Sequence, residues 1–388
     1  MKITLAGGYD TQNLGDYASF LGLEKLLRKY IPDAKFTVLS RHPNDRFGKE
    51  FDVATILNLD HSDKISAKGR IFNGFNEYDD DTHLNTIARE LMDSDVLIFG
   101  NGRLFVDISL GFMSGPLNYF CILTLLARFL GKPIVLSSVT LVHPSTEAGK
   151  ELLRFILRNA RLILTREQSS ADIACDYVDN RAKVVVLPDI AFAVTKTDST
   201  GEGLPEIPHN SIGVNFRGVN FSNESTKDRF TQIAKKLAEL MDQMDCATVF
   251  CHQCTYDVDT PLTDDRHANA QVYAALPHKY QRKCLISRNK WSLAQTLGIY
   301  GKLRHLVTER RHGFILSLTQ ETPASLICHE SNTAVVSETV PLQGAYLKAG
   351  ESLSMNVSNT SFDTDWLEDI RQQLEEYPRQ FLKLMETE

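Results

Sequence analysis

The stretch KITLAGGYDTQNLGDYASFLGLEKLL, Lys2 to Leu27, decides the fold. Its first five residues are a short apolar run, read as a β-strand. Gly7 and Gly8 end that run, and past Asn13, Gly15 and Asp16 the apolar period lengthens to that of a helix. Phe20, Leu23, Leu27 and Tyr30 then share one face until Pro32 stops it. Strand, glycine turn and helix make the repeating half of a doubly wound α/β domain.

The same alternation runs outward from there. KFTVLS (35–40), DVLIFG (95–100), PIVLSSV (133–139), RLILT (161–165) and KVVVL (183–187) are further strands, with helical stretches such as STEAGKELLRFILRNA (145–160) between them. Near-continuous apolar strands separated by helices imply a parallel sheet covered on both faces. TKTDSTGEGLPEIPHNS, Thr195 to Ser211, is polar and rich in Gly and Pro and reads as a linker. Beyond it the pattern restarts with SIGVNF (211–216), ATVFCH (247–252), HLVTE (305–309) and PASLICH (323–329). The expected architecture is two Rossmann-type doubly wound domains, 1–198 and 199–388, facing each other. A last amphipathic helix, DTDWLEDIRQQLEEYPRQFLKLM, packs back across the pair.

Composition narrows the function. A net charge of −7 and a pI near 5.9 over 388 residues argue against a nucleic-acid protein, whose surface must neutralise phosphates. Any anion site is therefore local. The N-terminus lacks the apolar core of an export signal, so the seven cysteines are expected as free thiols in the cytoplasm. Cys251 and Cys254 have the spacing of a redox or metal pair, but no second pair accompanies them, and they read as part-buried thiols near a strand end; no metal site is read. Leu117 to Val142 is the most lipid-like segment. Arg128, Lys132 and Pro133 interrupt it, which makes it a buried helix and a strand, not a membrane span.

In an open parallel sheet, ligands bind beyond the carboxyl ends of the strands. The residues there are Gly8, Asn13 and Asp16; Asn101, Gly102 and Arg103; Arg166 and Glu167; and Asp189. In the second half they are Arg217, His252, Gln253, Glu309, Arg310, Arg311 and His312. Several arginines thus gather at strand ends of an acidic protein. Taken singly, each has a structural reading: a surface ion pair for an arginine, a backbone cap for His312, a helix N-cap for Asp16, turn geometry for Asn13 and Gly15. The opening loop is neither a GxGxxG loop nor a GxxxxGK[ST] loop, so a dinucleotide or a P-loop nucleotide is not its ligand.

These stretches carry a family resemblance. GYDTQNLGDYASFLGL resembles the Asn-x-Gly-Asp loop and helix of polysaccharide pyruvyl transferases, and VLIFGNGRLF their glycine-rich loop. ILTREQSSADI is similar to their Arg-x-x-Ser segment, VLPDIAFAV to their Asp-x-Ala-Phe, and TERRHGFILSLTQETPASLI to their Arg-x-His helix and following strand. The resemblance implies a GT-B-like fold and transfer of pyruvyl from phosphoenolpyruvate to a glycan as a cyclic ketal, in capsule or exopolysaccharide synthesis. It implies no cofactor beyond this co-substrate, and an acceptor sugar that is free or lipid-linked, with peripheral membrane association left open.

Carried over by position, the Arg-x-His pair falls on Arg310 and His312, with Arg311 where a leucine is usual. The strand-end arginine falls on Arg217, and the Asn-x-Gly-Asp loop on Asn13, Gly15 and Asp16. Guanidinium groups suit the carboxylate and phosphate of the donor, so Arg217, Arg310, Arg311 and Arg166 are the expected donor contacts. His312 is the expected acid toward the donor methylene, since an unperturbed histidine titrates at about 6.5. Asp16 or Glu309 would accept the proton of the attacking hydroxyl, and Asn13, Asn101 and Asp189 would face the acceptor. Two rivals share this scaffold: a nucleotide-sugar glycosyltransferase and a non-catalytic glycan- or anion-binding protein.

Overall fold

The computed structural model describes residues 1–40, 45–59, 83–107, 115–218, 224–255, 264–328, 340, 346–348 and 364–386. The first sheet has seven strands: β1 (Lys2–Ala6), β2 (Lys35–Ser40), β3 (Ala54–Leu57), β4 (Val96–Gly102), β5 (Ile134–Val139), β6 (Leu162–Thr165) and β7 (Val184–Val186). Their order is β3-β2-β1-β4-β5-β6-β7. The second sheet has six: β8 (Ser211–Asn215), β9 (Ala247–Phe250), β10 (Cys284–Ile286), β11 (His305–Thr308), β12 (Ala324–Cys328) and β13 (Tyr346–Lys348), in the order β10-β9-β8-β11-β12-β13. All pairings are parallel. Both sheets are doubly wound, and the strand order reverses between β1 and β4 in one and between β8 and β11 in the other.

Burial explains why the central strands read so clearly. Every residue of β5, β8, β11 and β12 is buried, as helices on both faces require. The helix Leu14–Arg28 buries Phe20, Leu23 and Leu27 fully. Tyr30, expected on the same face, lies past the helix end and is 41% exposed.

The chain divides into two compact units. One comprises Met1–Thr11, Ser19–Ala193 and Arg371–Glu388; the other comprises Gln12–Ala18 and Val194–Ile370. The boundaries 1–198 and 199–388 differ from this grouping at three places: Gln12–Ala18, residues 194–198 and the terminal residues. Gln12–Ala18 groups with the second sheet, because Asn13 forms an antiparallel bridge with Cys254, supported by hydrogen bonds from Leu14 N to Gln253 O (2.9 Å) and Thr255 N to Gln12 O (2.8 Å). The terminal residues group with the first sheet. Tyr377 and Phe381 are buried there, and the Tyr377 hydroxyl donates to Ser137 Oγ at 2.8 Å. Fully burying a side chain of this size contributes about 1.5–3 kcal/mol.

The terminal stretch is two helices, Asp365–Leu374 and Glu376–Glu386. Pro378 sits in the first turn of the second, where a missing N–H costs no helical hydrogen bond. The linker residues from Thr195 belong to the second unit: Thr200 N donates to Ala294 O (3.1 Å), and Gln320 Nε2 to Thr195 O (3.3 Å).

Candidate active site

At the reversal point of the second sheet, β8 and β11 run side by side, with Thr308 in register with Asn215. Chain leaving β8 carries Arg217, and chain leaving β11 carries Glu309 and Arg310, so the topology alone brings these groups to one mouth. The frame is tied by side chains. Glu309 N donates to Asn215 O (3.0 Å), Arg310 N to Thr308 Oγ1 (2.9 Å), and Thr308 Oγ1 to Asn215 Oδ1 (3.1 Å).

Asp265 is the hub of this frame. It opens the helix Asp265–Ala275, capped by Asp264, and its side chain is fully buried. Its Oδ2 accepts from Gln253 N (2.9 Å), Cys254 N (3.1 Å) and Asn215 Nδ2 (3.0 Å). Arg310 donates Nε to both carboxylate oxygens (3.0 and 3.2 Å) and Nη2 to Oδ1. Burial disfavours the Arg310 charge, but the Asp265 carboxylate more than reverses this, and the guanidinium pKa is raised. The Nε/Nη2 edge of Arg310 is thus committed, which leaves Nη1.

Arg217 stands differently. Its backbone N–H donates to Glu309 Oε2 at 2.7 Å, while among the described residues no acceptor pairs with its half-buried guanidinium. Burial lowers its pKa, and the neighbouring Arg310 charge lowers it further against the opposing pull of Glu309. Glu309, 4% exposed, gives its other oxygen to Arg229 Nη2 from the helix Glu224–Met244. Both Glu309 oxygens therefore hold neighbours.

The Gln12–Ala18 segment completes the cluster. Asn13 caps the helix: its Oδ1 accepts from Gly15 N at 3.0 Å, the role that the sequence left open for Asp16. Gly15 lies against His312, in the first turn of the helix Arg311–Thr319; a Cβ on Gly15 would stand 2.1 Å from Nδ1 of the imidazole. Any larger residue there must displace the imidazole. Asp16 sits in the first turn of its helix. Burial raises the pKa of the Cys254 thiol, which also feels the charges of Arg310, Asp265, Asp16 and Arg217. Cys251 is fully buried as well, and burial pushes its thiol up. His252 stacks on Trp291 with centroids 4.5 Å apart and accepts at Nε2 from Trp291 N (3.3 Å), a packing role.

The remaining expected residues lie in the first unit. Arg166 is buried; its Nε donates to Thr140 Oγ1 (2.8 Å) and its Nη1 to Asp189 Oδ2 (3.0 Å). Asp189 Oδ1 accepts from Ala191 N at 3.1 Å, which fixes the turn Ile190–Ala193. Asn101 donates to Gly8 O at 2.8 Å, bracing the two glycine loops after β1 and β4. Among the described residues, no group of three His, Cys, Asp or Glu side chains could hold a metal ion, and no helix is long and apolar enough to cross a membrane.

The sequence model of the family described as "Polysaccharide pyruvyl transferase" matches residues 13–327. The chain belongs to that family. No curated protein matches it in sequence. Among solved structures, UDP-GlcNAc 2-epimerase from Methanocaldococcus jannaschii is similar with a TM-score of 0.60 and 12% identity, over 96% of this chain and 92% of that one. Anabaena Alr3699/HepE in complex with UDP and glucose is similar with a TM-score of 0.60 and 10% identity, over 100% of both chains. UDP-GlcNAc 2-epimerase from Neisseria meningitidis, bound to UDP-GlcNAc, follows with a TM-score of 0.53 and 12% identity, over 99% of this chain and 94% of that one. At such identities the likeness is one of fold, and the fold is GT-B-like.

For a pyruvyl transferase family member, the second unit brings together Asn13, Asp16, Arg217, Glu309, Arg310, Arg311 and His312, while Arg166, Asn101 and Asp189 belong to the first. Two members of the cluster were missed in the sequence. The sequence reading singles out neither Asp265, at the start of its helix, nor Arg229, on the helix Glu224–Met244. Neither spacing points to its partner, because both ion pairs join segments far apart in the chain.

Proposed function

We propose that this transferase moves the pyruvyl group of phosphoenolpyruvate onto a sugar of a polysaccharide or glycan precursor, as a cyclic ketal. Arg217 is the observation that carries the reading. A half-buried guanidinium without a described acceptor, beside a second arginine, is costly unless an anion joins it, and it stands where an open α/β sheet binds ligands. Arg217 takes one anionic end of the donor, Nη1 of Arg310 takes the other, and Arg311 adds charge at the helix start. His312 protonates the methylene carbon, giving a methyl group and an oxocarbenium-like centre. A sugar hydroxyl attacks that centre and loses its proton to Asp16. The C–O bond to phosphate then breaks, phosphate leaves with the proton held by Asp16, and a second hydroxyl closes the ring, returning its proton to His312.

Glu309, with both oxygens engaged, serves in this reading as the anchor of Arg217 and Arg229. Arg166 and Asp189 frame loops of the first unit. The acceptor is free or lipid-linked, and the reaction is cytoplasmic. The test is incubation with phosphoenolpyruvate and a panel of galactose-, mannose- and hexosamine-containing acceptors, following phosphate release and the ketal methyl signal by NMR. Both signals are expected with at least one acceptor. Tight UDP binding with no response to phosphoenolpyruvate would instead favour a nucleotide-sugar enzyme, as the UDP-bound structures of similar fold would have it.

A further inference from the structure

We propose that Asp265 is a positioning residue of the donor site, one that sets the direction of Arg310 and thereby the spacing of the two cationic contacts. The inference rests on the reading of Arg217 and Arg310 as the donor's anion contacts. Asp265 is fully buried and receives hydrogen bonds from the ends of three strands at once: Asn215 of β8, Gln253 and Cys254 after β9, and Arg310 after β11. A carboxylate bonded to Nε and Nη2 fixes the guanidinium plane, because two parallel N–H···O bonds leave it no rotation. The free edge, Nη1, then has one direction. Arg217 is located independently of Asp265, through its own backbone bond to Glu309. The backbone at Arg217 and the side chain of Arg310 are therefore held by different carboxylates, and Asp265 sets the Arg310 side of the spacing between the two cations.

This arrangement trades strength for selectivity. Asp265 cancels one positive charge at the mouth, so it cannot raise the general attraction for anions. What it does is favour a molecule whose two anionic groups match the fixed spacing over any single anion. Phosphoenolpyruvate has two such groups and inorganic phosphate has one.

The experiment measures the dissociation constants of phosphoenolpyruvate and of inorganic phosphate by calorimetry for the wild type, Asp265→Asn, Arg310→Ala and the double variant, with melting temperatures recorded. Wild type should prefer phosphoenolpyruvate, and Asp265→Asn should shrink that preference on the order of tenfold while phosphate affinity holds or improves. In the Arg310→Ala background, Asp265→Asn should change the preference by less than about twofold, the mark of a residue acting through its neighbour. A purely structural carboxylate would scale both ligands together with the folded fraction. An unchanged preference in Asp265→Asn, or an equal loss in both backgrounds, overturns the proposal.

A second measurement covers a variant that fails to fold and a wild type that ignores phosphoenolpyruvate. In arginine-labelled wild type, the Nε–H of Arg310 should exchange with water at least tenfold more slowly than that of exposed Arg128. Equal exchange overturns the positioning of Arg310 by Asp265. Slow exchange in a protein that binds no phosphoenolpyruvate keeps the positioning and removes the donor reading.

Discussion

The two sheets reverse their strand order in the same way, yet their mouths are built with opposite chemistry. After β1 and β4, backbone fills the first mouth. Gly7, at φ +138°, leaves room for Gly100 O, which would stand 1.7 Å from any Cβ, and Asn101 braces the same loops. The one donor-contact arginine expected in the first unit, Arg166, is buried and paired with Asp189. In the second unit, Arg229 pairs with Glu309 and Arg310 with Asp265; Asp16 and Arg311 belong to the same cluster, and the Arg217 guanidinium is left over. Topology selects where a ligand can bind. The surplus of positive charge is what supports the proposal of an anionic donor there.

The sharpest way to break this contrast is at His312. If it is the acid, His312→Ala should lower turnover on the order of 10²- to 10⁴-fold with little loss of folding. His312→Gln, which keeps hydrogen-bonding capacity but delivers no proton, should be nearly as slow. The measurement is phosphate release per folded molecule. Activity retained in the glutamine variant would make the imidazole a packing partner of Gly15 and move the acid to a water held by Asp16.

Arg166 and Arg217 test the contrast directly, because the same truncation should act on different quantities. Arg166→Ala removes the buried guanidinium that pairs with Asp189, which should cost about 3–5 kcal/mol of stability in urea unfolding and leave phosphoenolpyruvate affinity unchanged. Arg217→Ala removes repulsion from Arg310, so stability should hold, while donor affinity falls on the order of tenfold to a hundredfold, the usual worth of charge-assisted hydrogen bonds. Arg217→Lys should not fully restore it, since a point charge replaces a two-edged contact. The opposite pattern would exchange the roles of the two mouths.

The central strands were legible because burial on both faces makes them continuous apolar runs. Of the edge strands, β7 was read and the other three were not: β3, β10 and β13 are short, and the residues of β10 are only half-buried. β13 is the clearest instance, since PASLICH reads as the last strand and Tyr346–Lys348 pairs beyond it. In the site, Arg217, Arg310 and His312 were visible because each directly follows a strand end. Asp265 and Arg229 were not, because what marks them is a partner about 45 and 80 residues away, and ion pairs of that separation leave no period in a sequence.

The contrast extends to buried ionisable groups, where acid should act on the two units in opposite senses. In the first, burial raises the Glu167 pKa against the pull of Arg166, so this carboxyl contributes most below its unfolded value of 4.5 and less as pH rises. In the second, His305 is 5% exposed, shares a 2.9 Å hydrogen bond through Nε2 with Ser325 Oγ, and burial lowers its pKa from 6.5 to about 4. A lowered histidine pKa means that the unfolded chain binds the proton first. The stability is present above pH 6.5 and is lost as pH falls toward 4. At pH 5.5 the loss relative to neutral pH should be about 1.4 kcal/mol. His305→Asn, which keeps a partner for Ser325 but does not titrate, should flatten the stability curve between pH 7.5 and 5.5 by that amount. The check is urea unfolding of both proteins across this range. Parallel curves would mean that His305 is protonated in the folded protein, or is hydrated there, and that acid weakens the second unit through another group.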